Sequence, residues 1–93
     1  MNTHVEMENI QKVLKNIIAE GVTEGTETNI SPNEIPNDSN LIDYYNIDSI
    51  MVLEILLKIE QTFEIEIPDE ELSVDLVSTV ESLTTYIIEK LNK

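Results

Sequence analysis

The sequence predicts an all-α fold: a small antiparallel four-helix bundle with three longer helices, one short third helix and a long first loop. Three observations lead there. Apolar residues recur at i, i+3, i+4 and i+7 in three separate segments, which is the pattern of helices with one face turned to a core. Capping residues, glycine or proline punctuate the gaps between those segments. The one alternating stretch, Glu64-Ile65-Glu66-Ile67, is too short for a sheet and has no second strand to pair with. At 93 residues and 41% apolar composition, the chain suits one small domain with a modest core.

The first helix is predicted over residues 4–20. Thr3 and Glu6 have the spacing of a capping box, and Ile10, Val13, Leu14, Ile17 and Ile18 make the buried stripe. Gly21 supplies the expected stop, since glycine accepts the left-handed turn that ends a helix. His4, the only histidine, falls in the first turn, where solvent exposure is the expectation. A long loop over residues 21–48 follows, polar and holding Gly25, Pro32 and Pro36. Such length in a small domain is uncommon and points to function. Ile30 and Ile35 are expected to pin this loop to the core, and Leu41, Ile42, Tyr44 and Tyr45 to fold it back onto the helices.

The second long helix is predicted over residues 49–63, with Asp48 as N-cap. Val52, Ile55, Leu56, Ile59 and Phe63 form its core stripe. Ile50, Leu53 and Leu57 form another, with Met51 at its edge. A surface helix needs one apolar stripe. The second is either covered by the long loop or offered to partners. Glu54 and Lys58 have the spacing of a favourable i, i+4 pair. Glu64 to Ile67 reads as an extended link, and Pro68-Asp69-Glu70-Glu71-Leu72 as the start of a short helix over residues 69–74. The last helix is predicted over residues 79–91, with a Ser78–Glu81 capping box and the stripe Val80, Leu83, Ile87 and Leu91. Lys90 and Lys93 suit its negative end.

Nineteen acidic residues against five basic ones give a net charge of −14. That surface repels phosphate backbones and anionic lipids, and it favours basic protein partners. Nucleic acid and membrane are therefore not expected partners. The chain has no cysteine, which excludes a disulfide framework, a thiolate metal site and a cysteine nucleophile. Asp43-Tyr44-Tyr45-Asn46-Ile47-Asp48 lacks the central glycine and terminal glutamate of a calcium loop. No metal site and no catalytic residue is predicted.

The chemistry concentrates at Asn46-Ile47-Asp48-Ser49-Ile50-Met51-Val52-Leu53-Glu54. Ser49 has no evident base to make it a nucleophile. Its place at a helix N-terminus favours a phosphate on its hydroxyl, because free N–H groups and the helix dipole attract an anion there. Local chemistry alone favours Ser49 as simply part of the helix cap.

Asp48-Ser49-Ile50 resembles the Asp-Ser-Leu signature of acyl carrier proteins, with isoleucine for leucine. The likeness runs on through Glu54, Ile59, Glu60 and Phe63 to Glu66-Ile67-Pro68-Asp69-Glu70-Glu71. Leu41-Ile42-Asp43 upstream, and Thr79-Val80 and Tyr86-Ile87 downstream, are similar to the family as well. The resemblance implies a single carrier domain over residues 1–93 and a covalent 4′-phosphopantetheine on Ser49, donated from coenzyme A by a phosphopantetheinyl transferase. It implies a cytoplasmic, monomeric shuttle for acyl thioesters, itself no enzyme, with acyl-loading and acyl-processing enzymes as partners. Asp48 would cap the helix beside the cofactor, and Ile50, Met51, Leu53, Glu54 and Leu57 would meet partners. Asn46 stands where the family usually has glycine, and asparagine is the next best residue for a left-handed turn. The partner helix is less acidic than in fatty-acid carriers. That favours a specialised polyketide-like or mixed pathway with less salt-sensitive docking, over a housekeeping fatty-acid or D-alanyl carrier. An unmodified acidic helical adaptor is the alternative of another class.

Overall fold

The computed structural model describes residues 3–26, 29–72 and 74–92, with the side chains of residues 3–6, 74 and 75 left aside. The side chains of the Thr3–Glu6 capping box and of His4, and the whole of Lys93, lie outside what is described. Among the described residues all regular structure is helical. Helix α1 spans Thr3–Thr26, α2 Leu41–Tyr45, α3 Ser49–Phe63 and α4 Val80–Leu91, with single 3₁₀ turns at Pro32–Glu34, Asp69–Glu71 and Val74–Val77.

Helix α1 sets the long axis. Its 24 residues rise about 36 Å at the helical pitch, close to the molecule's longest extent of 38 Å. Both α3 and α4 pack on α1, and the Val74–Val77 turn packs against α2, α3 and α4. The core sits between them. Ile10, Leu14, Ile17, Ile18 and Val22 of α1 are buried together with Val52, Ile55, Leu56 and Ile59 of α3 and Val80, Leu83 and Ile87 of α4. The radius of gyration, 12.4 Å, matches the value of about 12 Å for a folded chain of this length.

Gly21 does not end α1. The helix runs on to Thr26, whose hydroxyl donates to the Val22 carbonyl at 2.7 Å and closes the last turn. Neither glycine adopts a positive φ. Their use is steric: a Cβ on Gly21 would lie 2.9 Å from Ile55 Cγ1, and one on Gly25 2.8 Å from Met51 Sδ. The two glycines, one helical turn apart, let α1 and α3 approach closely. These contacts also show the two helices to be antiparallel, since later residues of α1 meet earlier residues of α3.

The segment expected as one loop contains α2. Asn40 is its N-cap, accepting from the N–H groups of Ile42 at 3.0 Å and Asp43 at 3.2 Å. Five residues are too few for a helical period to show in the sequence. The loop is tied down by Ile35 and Leu41, both buried, and by backbone bonds from Leu41 N–H to the Ser78 carbonyl (2.7 Å) and from Glu81 N–H to the Asn37 carbonyl (3.1 Å). Ile30, Ile42 and Tyr45 pack against the core from its edge, while Tyr44 is exposed and meets Tyr45 edge-on.

After α3 the chain is an extended link, as its short alternation implies. The short helix expected over residues 69–74 is instead two 3₁₀ turns. A clamp joins the first of these to α4: the Tyr86 hydroxyl donates to the Glu71 carboxylate, and Lys90 Nζ lies 3.2 Å from the same oxygen and 5.3 Å from the Tyr86 ring centroid. The capping of α4 falls one residue later than the Ser78–Glu81 spacing implies. Thr79 is the N-cap, and its Oγ1 accepts from Ser82 N–H at 3.0 Å. Leu91, placed in the core stripe by periodicity, is exposed because α4 ends there.

Candidate functional site

The site is built by two consecutive helix ends. Helix α2 stops at Asn46, which adopts a left-handed conformation with φ 55° and ψ 47°. Its N–H donates to the Ile42 carbonyl, and the Ile47 N–H donates to the same oxygen at 3.1 Å. This paired termination ends α2 and satisfies a carbonyl that the helix leaves free. Asp48 follows in an extended conformation as the N-cap of α3, its Oδ1 accepting from Met51 N–H at 2.9 Å. Ile47 and Val52 occupy the two positions of a hydrophobic staple, and both are buried. The chain is thus anchored on both sides of Ser49.

Ser49 is the first residue of α3 and is exposed. The first ladder bond of α3 runs from Val52 N–H to the Asp48 carbonyl at 3.0 Å, and Asp48 Oδ1 takes the Met51 N–H. The N–H groups of Ser49 and Ile50 precede that ladder and stand at the positive end of a 15-residue helix. A phosphodiester on the Ser49 hydroxyl meets no buried neighbour and lies beside those donors, so the residues present fit a covalently held phosphate. The other serines among the described residues fit less well. Ser31 precedes only a three-residue turn, Ser39 and Ser78 are half-buried, and the Ser82 hydroxyl accepts from Thr79.

Beyond Ser49 the second apolar stripe of α3 is open to solvent. Ile50 is 68% exposed, Leu53 47% and Leu57 51%, with Glu54 exposed beside them. The long loop does not cover them. Met51 departs from the expected contact face, being only 5% exposed. Its position on α3 points to α1, and the missing side chain of Gly25 makes room for it. Lys58 also departs from expectation: its Nζ lies 3.7 Å from Glu20 of α1, across the helix pair and not along α3 to Glu54.

A groove of about 220 Å³ runs between α1 and α3, lined by Glu20, Gly21, Glu24, Glu54 and Lys58. Sequence reasoning missed the α1 part of this surface. The i, i+4 spacing of Gly21 and Gly25 was the available signal, since small residues one turn apart permit close helix contact. Among the described residues no group of three or more His, Asp or Glu side chains is placed to hold a metal ion, and no helix is long and apolar enough to cross a membrane.

A family model described as phosphopantetheine attachment site matches residues 25–87, more than half of the chain, and that span holds α2, Ser49, α3 and most of α4. When bound, the 4′-phosphopantetheine arm supplies a terminal thiol for thioester formation, which no side chain of this cysteine-free protein provides. An exposed serine at a capped helix mouth, within a match of that extent, makes the chain a member of the phosphopantetheine attachment site family, a carrier of covalently attached 4′-phosphopantetheine of the acyl carrier protein kind.

Proposed function

We propose that Ser49 is the attachment residue and that the protein shuttles acyl groups, held as thioesters, among the enzymes of a specialised polyketide-like or mixed biosynthetic pathway. The observation that carries the attachment site is the exposure of Ser49 at the first position of α3, with its neighbours Ile47, Met51 and Val52 buried. Asp48 holds the helix mouth in shape, and its capping bond leaves the Ser49 and Ile50 N–H groups for the phosphate. Ile50, Leu53, Glu54 and Leu57 meet partner enzymes, which include a phosphopantetheinyl transferase that uses coenzyme A, an acyl-loading enzyme and acyl-processing enzymes. The exposed aliphatic stripe supports the specialised pathway over a housekeeping fatty-acid or D-alanyl carrier. A shuttle of this kind works as a cytoplasmic monomer, where coenzyme A and its transferase are found, and it performs no catalysis of its own.

The test is intact mass spectrometry before and after incubation with coenzyme A and a broad-specificity phosphopantetheinyl transferase, with Ser49→Ala alongside. One added arm on the native protein and none on Ser49→Ala is the expected result. No gain, with a transferase active on a control carrier, would leave an unmodified acidic adaptor as the better reading.

A further inference from the structure

We infer that the partner-docking surface is composite: α3 supplies its apolar ridge, and the C-terminal half of α1 supplies its charge, so that it fits a protein presenting an apolar socket bordered by lysine or arginine side chains. This rests on Ser49 being the attachment residue.

The argument begins with reach. Any enzyme acting at Ser49 must seat its active site on the first turn of α3. A protein interface of ordinary size covers about 800 Å² on each partner, a disc about 16 Å in radius. Leu57 lies eight residues along α3 from Ser49, about 12 Å at the helical rise. A partner centred on Ser49 therefore covers Ile50, Leu53 and Leu57, the exposed aliphatic residues of that helix.

The same footprint reaches α1. The helices are antiparallel, so the C-terminal turns of α1 lie beside the first turns of α3. Gly25 faces Met51, two residues from Ser49, and Gly21 faces Ile55. Glu20 and Glu24 of α1 line one groove together with Glu54 of α3. Lys58, the one cation among the described residues that line that groove, is 3.7 Å from Glu20. Glu24 and Glu54 have no cation partner among the described residues, so the groove keeps a net negative charge along the edge of the apolar ridge. A second copy of this chain, itself at −14, is repelled from such a surface, whereas a basic rim is attracted. The sparse charge of α3, read alone, predicts docking with little salt dependence. With α1 alongside, the salt dependence returns.

The experiment measures kcat/KM for loading of the full chain by the broad-specificity transferase, at about 0.02 M and about 0.5 M salt. The native protein is compared with the Glu20→Gln/Glu24→Gln double variant and with Glu81→Gln/Glu89→Gln, which removes the same charge from exposed positions on α4. The expected result is a loss of about fivefold for the α1 variant at low salt, vanishing at high salt, with the α4 variant within about twofold of native. Circular dichroism melting of all three proteins establishes that folding is unchanged. Equal rates for the α1 and native proteins, or equal losses in both variants, overturn the composite surface while loading itself proceeds. Absence of any mass gain on the native chain overturns the attachment reading and this inference with it.

Discussion

At the scale of single residues, two positions among the described residues carry left-handed backbone without glycine: Asn46 at φ 55° and Glu64 at φ 53°. They differ in cost. Asparagine tolerates that region because its short side chain bonds locally, whereas glutamate gains nothing there. Glu64 ends α3, its N–H donating to the Glu60 carbonyl, which also accepts from Ile65 N–H at 3.2 Å. Glu64→Gly is expected to raise stability by about 0.5–1 kcal/mol in urea unfolding, and Asn46→Gly to change it by no more than a few tenths. Asn46→Val should cost about 1–2 kcal/mol and slow loading of Ser49, since the turn before Asp48 is then strained. Tyr86 gives a pH prediction. Burial first, then its hydrogen bond to the Glu71 carboxylate, hold the phenol above its ordinary value of 10.0. A group whose folded value is raised stabilises the fold below the unfolded value and loses that contribution as pH rises. Stability should therefore fall above about pH 10, and less steeply in Tyr86→Phe. Burial, then the neighbouring Tyr44, raise Tyr45 as well, so a residual decline remains in that variant.

At the scale of elements, the contact of α1 with α3 fixes the groove beside Ser49. Alanine is favoured over glycine in a helix interior by about 1 kcal/mol. At Gly21 this gain is outweighed, because the new Cβ meets Ile55 Cγ1, a branched buried side chain, at 2.9 Å. Gly21→Ala should destabilise the protein by about 1 kcal/mol, read as a fall in Tm of about 4–8 °C. At Gly25 the obstruction is the Met51 side chain, which is unbranched and able to move aside. Gly25→Ala should be neutral or stabilising by a few tenths of a kcal/mol. A fall in Tm for Gly21→Ala without one for Gly25→Ala is the signature of a rigid neighbour at Gly21 and a yielding one at Gly25. Helix α2 shows why elements this short escape a sequence reading. Its Asn40 cap and its Asn46 stop are both present in the chain, but five residues between them show no period.

At the scale of the whole molecule, folding and docking use different faces of α3. Val52, Ile55, Leu56 and Ile59 are buried against the rest of the protein, and Ile50, Leu53 and Leu57 are not. Leu53→Glu and Leu57→Glu should therefore leave helicity intact and stability within about 0.5 kcal/mol, while slowing transfer of the arm and turnover by partner enzymes. Circular dichroism with loading kinetics checks both halves of that statement. Unfolding of either variant would place these leucines in the core and remove the docking ridge.

The sequence by itself determined what short-range physics controls. The limits of α3, its Asp48 cap and its buried stripe follow from residues within one or two helical turns, and Ser49 was legible as a serine at a helix mouth; the left-handed turn at Asn46 was implied by the family resemblance. Tertiary structure decided what depends on a neighbour. Gly21 reads as a stop in isolation, yet α3 packs against it and the burial of Val22 carries α1 on to Thr26. Met51 sits at the edge of an apolar stripe by sequence, and only the position of α1 turns it inward. Lys58 has an acid one turn away along its own helix, and the fold places Glu20 nearer. Whether Ile50, Leu53 and Leu57 lay under the loop was open until the loop was seen tied to the start of α4. Periodicity states which residues share a face of a helix; which face is covered is a property of the packing, because exposure is set by atoms distant in the chain.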